Sequence, residues 1–88
     1  MLTTYVTEVV DGDSFKTSFG EMRLEGVDAP EKNYSGWVEA KKRLEELILH
    51  KQIGYIGQAR DTYGRLIVQI RINGRNVNDE MADFISHL

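Results

Sequence analysis

The order of apolar and polar positions predicts three short strands in the first third of the chain. Residues 2–10 are rich in β-branched side chains, residues 14–18 form a short strand-like segment, and residues 21–27 alternate between apolar and polar positions, as strands do. Asp11-Gly12-Asp13 and Phe19-Gly20 separate these segments, and such dipeptides are frequent in tight turns. We therefore expect an antiparallel meander.

The hydrophobic period changes to that of a helix after Pro30, a residue that cannot continue a central strand. Apolar residues then recur at helical spacing, with charged residues between them. They are Trp37, Ala40, Leu44, Leu47 and Ile48. This pattern predicts a helix over residues 36–50, with Ser35 as its N-cap and with Trp37 in or near the core.

Two more strands and a second helix are predicted in the rest of the chain. Residues 52–58 and the alternating residues 66–72 favour strands, and Asn78 is expected to cap a last helix. The order βββαββα favours a mainly β fold with two helices, namely a five-stranded Greek-key barrel of the OB type. An open sheet with helices is the alternative that the pattern leaves.

Composition is typical of one small domain, residues 1–88, and it excludes several kinds of chemistry. The chain has no cysteine, and its two histidines are far apart, so disulfides, iron–sulfur clusters and thiol nucleophiles are excluded and a zinc site is not expected. No apolar run could span a membrane, and the N-terminus has no signal-peptide pattern. We expect a cytoplasmic protein, or a secreted one whose signal has been removed.

Charge is unevenly distributed along the chain. The formal net charge is −3, and half of the acidic side chains lie within the first 31 residues. An acidic balance is unusual for a module that binds nucleic acid through a basic surface. Clustered carboxylates repel one another unless a cation lies among them. The acidic third is therefore either a solvated sheet face or a cation site.

Two aspartates are expected to meet at one end of the meander. Asp13 begins the second strand and Asp28 follows the third, and these two strands form a hairpin. Adjacent carboxylates with a nearby backbone carbonyl suit a hard cation such as Ca²⁺. Glu31 is near enough in sequence to reach a water molecule at such an ion. Taken separately, however, each segment is also an ordinary turn.

Two arginines are candidates for the same neighbourhood. Arg23 lies five residues before Asp28, and Arg65 opens the fifth predicted strand. A metal ion, a base and two arginines suit phosphoryl transfer, in which positioning and charge stabilisation supply most of the catalysis. Arg23 by itself has the plainer interpretation of a cross-strand ion pair.

Taken together, the motifs resemble those of the staphylococcal nuclease (thermonuclease) family. The matching segments are Val10-Asp11-Gly12-Asp13-Ser14, Arg23-Leu24, Val27-Asp28-Ala29-Pro30-Glu31, Asp61-x-Tyr63-Gly64-Arg65 and Gly74-x-x-Val77-Asn78. Their order and spacing fit over nearly the whole chain, as a compact version that ends after the second helix. The resemblance implies an OB barrel and Ca²⁺-dependent hydrolysis of DNA and RNA to 3′-phosphate ends.

The same resemblance implies a set of residues around a bound Ca²⁺ ion. Asp13 and Asp28 correspond to its carboxylate ligands. Ala29 occupies a position whose backbone carbonyl is a ligand, so that its side chain need not be polar. Asp11 corresponds to an acid near the metal that does not ligate it.

Catalytic and substrate-binding roles are implied in the same way. Glu31 corresponds to the group that orients or deprotonates the attacking water molecule. Arg23 and Arg65 correspond to the residues that hold the phosphate and stabilise the transition state. Tyr63 is a candidate for contact with the substrate, and Tyr34 is the other aromatic residue expected nearby.

Departures from the family pattern concern substrate binding. Thr62 replaces a basic residue, the lysine-rich loop is shortened to residues 32–35, and a tyrosine pair beyond the second helix has no counterpart. We therefore expect weak binding of DNA and RNA, a preference for single-stranded or frayed substrates, no membrane association and no obligate protein partner. A non-catalytic OB module that binds nucleic acid or a protein tail is the alternative, and an excised piece of a longer protein is another.

Overall fold

Six strands and two helices make up the computed structural model, which describes residues 1–88. In chain order they are β1 (Leu2–Asp11), β2 (Ser14–Thr17), β3 (Gly20–Leu24), α1 (Trp37–Ile48), β4 (Gln52–Ile56), β5 (Leu66–Ile72), β6 (Arg75–Asn76) and α2 (Val77–Ser86). The strands are hydrogen-bonded in the order β3-β2-β1-β4-β5-β6, and β3 also pairs with β5. This closure confirms the predicted OB barrel with two helices, to which β6 is a two-residue addition.

The barrel closes through the parallel pairing of β3 with β5. Met22 lies opposite Leu66, and Arg23 lies opposite Ile67. Because Arg65 immediately precedes β5, this register brings it to the same edge of the barrel as Arg23. The closure that completes the fold therefore also brings together two arginines that are far apart in sequence.

One apolar core is shared by the barrel interior and the inner faces of both helices. The largest fully buried side chains are Phe15, Met22, Leu24, Leu44, Ile48, Ile53, Ile70 and Met81. Helix α1 packs against β1 and α2, and α2 also packs against β5. Neither helix is both long enough and apolar enough to cross a membrane.

The beginning of α1 differs from the sequence-based prediction. The helix starts at Trp37, and its N-cap is Gly36 rather than Ser35. Gly36 has a φ of 88° and makes no side-chain cap. Glycine adopts this left-handed conformation without the strain that a side chain would add. The chain thus enters α1 through a sharp backbone turn, which a search for capping side chains does not reveal.

The predicted N-cap of α2 was also wrong. The helix begins at Val77, and Asn76 caps it by accepting a hydrogen bond from the backbone N–H of Asp79 at 3.0 Å. Asn78 lies inside the first turn and is buried. The short strand β6, which the sequence analysis missed, leads directly into this cap.

Asn78 ties α2 to the barrel instead of capping the helix. Its side-chain Oδ1 accepts a hydrogen bond from the backbone N–H of Ile70 at 2.9 Å. Its Nδ2 donates to the carbonyl oxygens of Glu25 and Val68, each at 2.9 Å. Since buried backbone groups that lose their partners are costly, one amide side chain holds the helix, β5 and the segment after β3 together.

Replacing Asn78 by alanine is expected to lower the free energy of unfolding by about 2–4 kcal/mol, because it leaves the Ile70 N–H buried without a partner. Asn76→Ala, which removes only an exposed cap, should cost about 1 kcal/mol. Urea-induced unfolding of both variants measures the difference. An Asn78→Ala protein as stable as Asn76→Ala would contradict this account.

Candidate active site

A cavity of about 250 Å³ brings together acidic and basic side chains from the first third of the sequence and Arg65. It is lined by Asp11, Asp13, Arg23, Asp28, Ala29, Pro30, Glu31 and Arg65. They come from the end of β1 and the turn that follows it, from β3 and the loop that follows it, and from the segment just before β5. All the site residues proposed from the sequence line this cavity except Tyr63, which lies beside it.

The β1–β2 turn lies very close to helix α1. A Cβ atom on Gly12 would lie 2.6 Å from the Cβ of Ala40 and 3.0 Å from the Cβ of Ala29. Only a residue without a side chain fits between the helix and the loop after β3. Gly12 therefore allows the turn to place Asp11 and Asp13, its two neighbours, at the cavity.

Asp13 is a buried carboxylate that the surrounding structure holds firmly. Its Oδ2 accepts a hydrogen bond from the backbone N–H of Ala29 at 3.0 Å and forms an ion pair with Nη1 of Arg23 at 2.7 Å. Only 7% of its side chain is exposed. A buried charge of this kind is stable only when it is paired and hydrogen-bonded, and both conditions are met here.

Asp28 differs from Asp13 in its exposure to solvent. Its side chain is 99% exposed, and its Oδ1 lies 3.7 Å from Nη2 of Arg23. The same Nη2 donates a hydrogen bond to the carbonyl oxygen of Val27 at 3.1 Å. One guanidinium thus contacts two carboxylates, one buried and one open to solvent.

The donor set at the cavity suits a hard cation. Carboxylates and a backbone carbonyl are the ligands that Ca²⁺ prefers, and Asp13 and Asp28 already meet at one positive charge. No three acidic or histidine side chains surround a single point. A metal ion bound between Asp13 and Asp28 would therefore take other ligands, such as the Ala29 carbonyl and water.

Arg65 is fixed from two sides. Its Nε donates to Oδ2 of Asp61 at 2.7 Å, and its Nη1 lies 3.5 Å from Oε2 of Glu21. Burial works against the charge of Arg65, but hydrogen bonding and the nearby charges of Asp61 and Glu21 outweigh it and raise its pKa. Arg65 is therefore a permanent and oriented positive charge. The sequence analysis missed Glu21, because its contact depends on the β3–β5 register.

Asp61 organises the segment that carries Arg65. Its Oδ1 accepts hydrogen bonds from the backbone N–H groups of Tyr63 at 3.0 Å and Arg65 at 2.9 Å. Desolvation raises the pKa of Asp61, but the hydrogen bonds and the charge of Arg65 outweigh it, so the pKa lies below its usual value. Folding therefore favours the ionised form of Asp61.

Glu31 and Tyr63 lie at the open edges of the site. Glu31 is exposed, and its carbonyl oxygen accepts a hydrogen bond from the N–H of Tyr34 at 3.0 Å. The Tyr63 ring is 83% exposed, and its centroid lies 5.3 Å from Cζ of Arg65. A second cavity of about 470 Å³ is lined by Glu21, Tyr63, Gly64 and Arg65. Arg65 belongs to both cavities and connects them.

Trp37 is a cavity neighbour that the hydrophobic pattern assigned to the core. The residue is only half-buried, and its Nε1 donates a hydrogen bond to Oδ1 of Asp11 at 2.6 Å. Its position on the apolar face of α1 gave no sign of this polar contact. The contact depends on how the helix sits against the β1–β2 turn.

Comparison with known proteins identifies the family of this chain. A family model described as staphylococcal nuclease homologue matches residues 21–83. The chain therefore belongs to this family, as the motifs had indicated. It is also 29% identical, over 85 residues, to a Haemophilus influenzae protein named as an uncharacterized endonuclease. That match covers 91% of this chain and 48% of that protein, so the chain spans about half the length of this relative.

Replacing Asp61 by asparagine tests how the Arg65 segment is held. Because the pKa of Asp61 is lower in the folded state, its contribution to stability is complete above its unfolded pKa, near pH 4, and is lost as pH falls through the lower folded value. Wild type should therefore melt at a higher temperature than Asp61→Asn from pH 5 to 8, and the difference should shrink towards pH 2. A difference that does not change with pH would contradict this.

Proposed function

We propose that this protein is a nuclease: a Ca²⁺-dependent phosphodiesterase that hydrolyses DNA and RNA and leaves 3′-phosphate ends. The observation that carries the proposal is the cavity that three aspartates, two arginines and an exposed glutamate line together. Membership of the staphylococcal nuclease homologue family supports it. The endonuclease name of the Haemophilus influenzae relative supports it as well.

Arg23 and Arg65 are proposed to bind the scissile phosphate. Both side chains are partly exposed at the cavity, at 27% and 20%. A guanidinium presents two parallel N–H groups to a phosphate, and charge develops on the phosphate oxygens as the transition state forms. Because Asp61 already fixes Nε of Arg65 and Glu21 lies 3.5 Å from its Nη1, Nη2 is proposed as the nitrogen that binds the substrate.

Glu31 is proposed as the general base. Its exposed position at the cavity edge allows its carboxylate to accept a proton from a water molecule beside the bound phosphate. The water oxygen forms a bond to phosphorus, and the bond from phosphorus to the 5′ oxygen breaks. That oxygen takes up a proton from solvent and leaves as the 5′-hydroxyl, so that the phosphate stays on the 3′ side.

A Ca²⁺ ion is proposed to be held by Asp13, Asp28 and the Ala29 carbonyl. When bound, it would neutralise phosphate charge and polarise the phosphoryl oxygen. Asp13 supplies a rigid ligand because the Ala29 N–H orients it, whereas the exposed Asp28 supplies an adjustable one. Arg23, which contacts both aspartates, would share them with the metal.

Substrate binding is proposed to be weak and to favour single strands. The net charge is −3. The exposed ring of Tyr63 lines the cavity of about 470 Å³, and the exposed ring of Tyr34 lies with Pro30 and Glu31 in a third cavity of about 310 Å³. A base stacked on an aromatic ring contributes about 1–3 kcal/mol, and unpaired bases reach such rings without the cost of opening a duplex. Shallow cavities with exposed rings fit frayed or single-stranded DNA and RNA better than an intact helix.

Ca²⁺ is expected to stabilise the folded protein, because Asp13 and Asp28 are brought together to bind it only in the folded state. At a concentration a hundred times its dissociation constant the gain is about 2.7 kcal/mol. Thermal melts with and without millimolar Ca²⁺ measure it. Asp28→Asn is the matched control: its side chain is fully exposed, so the variant should melt like wild type without Ca²⁺ and gain little with it. An unchanged wild-type melt would remove the metal from the proposal.

Replacing Glu31 by glutamine should lower turnover by about 10²–10⁴-fold, because the amide cannot take a proton. Affinity for a single-stranded oligonucleotide should hardly change. Glu39→Gln, which alters an exposed glutamate on α1, is the control and should cleave like wild type.

The cleavage assay uses labelled single-stranded DNA with Ca²⁺ and then with EDTA, followed by end-group analysis. Products with 3′-phosphate and 5′-hydroxyl ends are expected only with Ca²⁺. Binding without cleavage by the wild-type protein would instead favour a non-catalytic nucleic-acid-binding module.

A further inference from the structure

Asp11 differs from the other aspartates of the cavity in the partners that it has. Asp13 and Asp28 both contact Arg23. Asp11 lines the same cavity, yet its two oxygens are bound by neutral donors. Oδ1 accepts the indole N–H of Trp37 at 2.6 Å, and Oδ2 accepts the hydroxyl of Ser14 at 3.4 Å.

Trp37 is well placed to hold Asp11 in this orientation. It is the first residue of α1, and its backbone N–H donates to the carbonyl oxygen of Tyr34 at 3.2 Å. The ammonium group of Lys41 lies 5.2 Å from the centroid of its ring, an arrangement that favours attraction between cation and ring. Trp37 is therefore anchored by its backbone at the start of α1, and its indole N–H makes the shorter of the two Asp11 contacts.

We propose that Trp37 is a positioning residue, which acts through Asp11 to keep the arginines of the cavity available for phosphate. This role rests on the proposed nuclease function. A carboxylate without the Trp37 contact would be free to turn into the cavity that Arg23 and Arg65 share. There it would compete with the phosphate for the guanidinium groups and repel the substrate. The indole N–H holds the charge of Asp11 at the wall of the cavity instead.

The kinetic test is a double-mutant cycle. Trp37→Phe keeps an aromatic ring but removes the N–H, and it should lower kcat/KM by about tenfold, as expected when a side chain that orients a site residue is lost. In an Asp11→Asn background the same change should cost less than twofold, because the asparagine has no charge that can compete with the phosphate. Melting temperatures establish that each variant is folded.

Lys41→Ala is the matched control, since it removes the cation above the ring but leaves the hydrogen bond. It should cleave like wild type. If Trp37 only anchors the helix, Trp37→Phe would cost the same in the wild-type and Asp11→Asn backgrounds, and the proposal would be overturned. Equal activities of Trp37→Phe and wild type would overturn it as well.

A spectroscopic test does not depend on cleavage. Because Trp37 is the only tryptophan, a ¹H–¹⁵N spectrum has one indole N–H signal. A strong hydrogen bond to a carboxylate shifts the resonance of that proton downfield. Asp11→Asn should shift the signal upfield, and a single-stranded DNA octamer added to the Glu31→Gln protein with Ca²⁺ should also move it. If neither Asp11→Asn nor the added octamer shifts the indole signal, the proposed role of Trp37 is overturned. If the indole signal responds to both changes but the wild-type protein does not cleave DNA, the nuclease proposal is overturned, and with it the role of Trp37 in cleavage.

Discussion

The pairing of β3 with β5 is the contact on which both the fold and the site depend. It is the parallel contact that closes an otherwise antiparallel sheet. Parallel strands need a long connection between them, and here that connection contains α1 and β4. Closure sets Arg23 beside the start of β5, and thereby beside Arg65 and its partner Asp61. If β3 and β5 did not pair, the barrel would stay open and its core would be exposed. Arg23 and Arg65, the candidates for phosphate binding, would then also lie apart.

Charge within the cavity is balanced among a few side chains with different degrees of freedom. Asp13 is buried and fixed, Asp28 is exposed, and Arg23 contacts both. Arg65 is held by carboxylates outside the main cavity. Among these four side chains, one is a rigid negative charge, one is an adjustable negative charge and two are oriented positive charges. Such preorganisation reduces the reorganisation that a reaction at a phosphate would otherwise require.

Much of this arrangement could be predicted from sequence because it follows from strand connectivity. The meeting of Asp13 and Asp28 requires only that β2 and β3 form a hairpin, and the motifs around Arg23, Glu31 and Arg65 indicated the family. The contacts of Trp37, Glu21 and Asn78 could not be predicted in the same way. Each depends on the distance and rotation between elements that are remote in sequence, which hydrophobic periodicity does not determine. The N-cap of α1 was missed for a local reason, because Gly36 turns the chain through backbone conformation alone.

The small residues between α1 and the β1–β2 turn link the cavity to the apolar core. Ala40 is completely buried on α1, and its Cβ lies within 3 Å of where a side chain on Gly12 would begin. The small size of Gly12 and Ala40 sets the distance between the β1–β2 turn and helix α1. Ala40 therefore acts as a spacer that sets the geometry of the cavity, although it carries no chemistry itself. A side chain one methyl group larger at this position would push the β1–β2 turn and its aspartates away from the helix, so the geometry of the cavity depends on a core residue that does not line it.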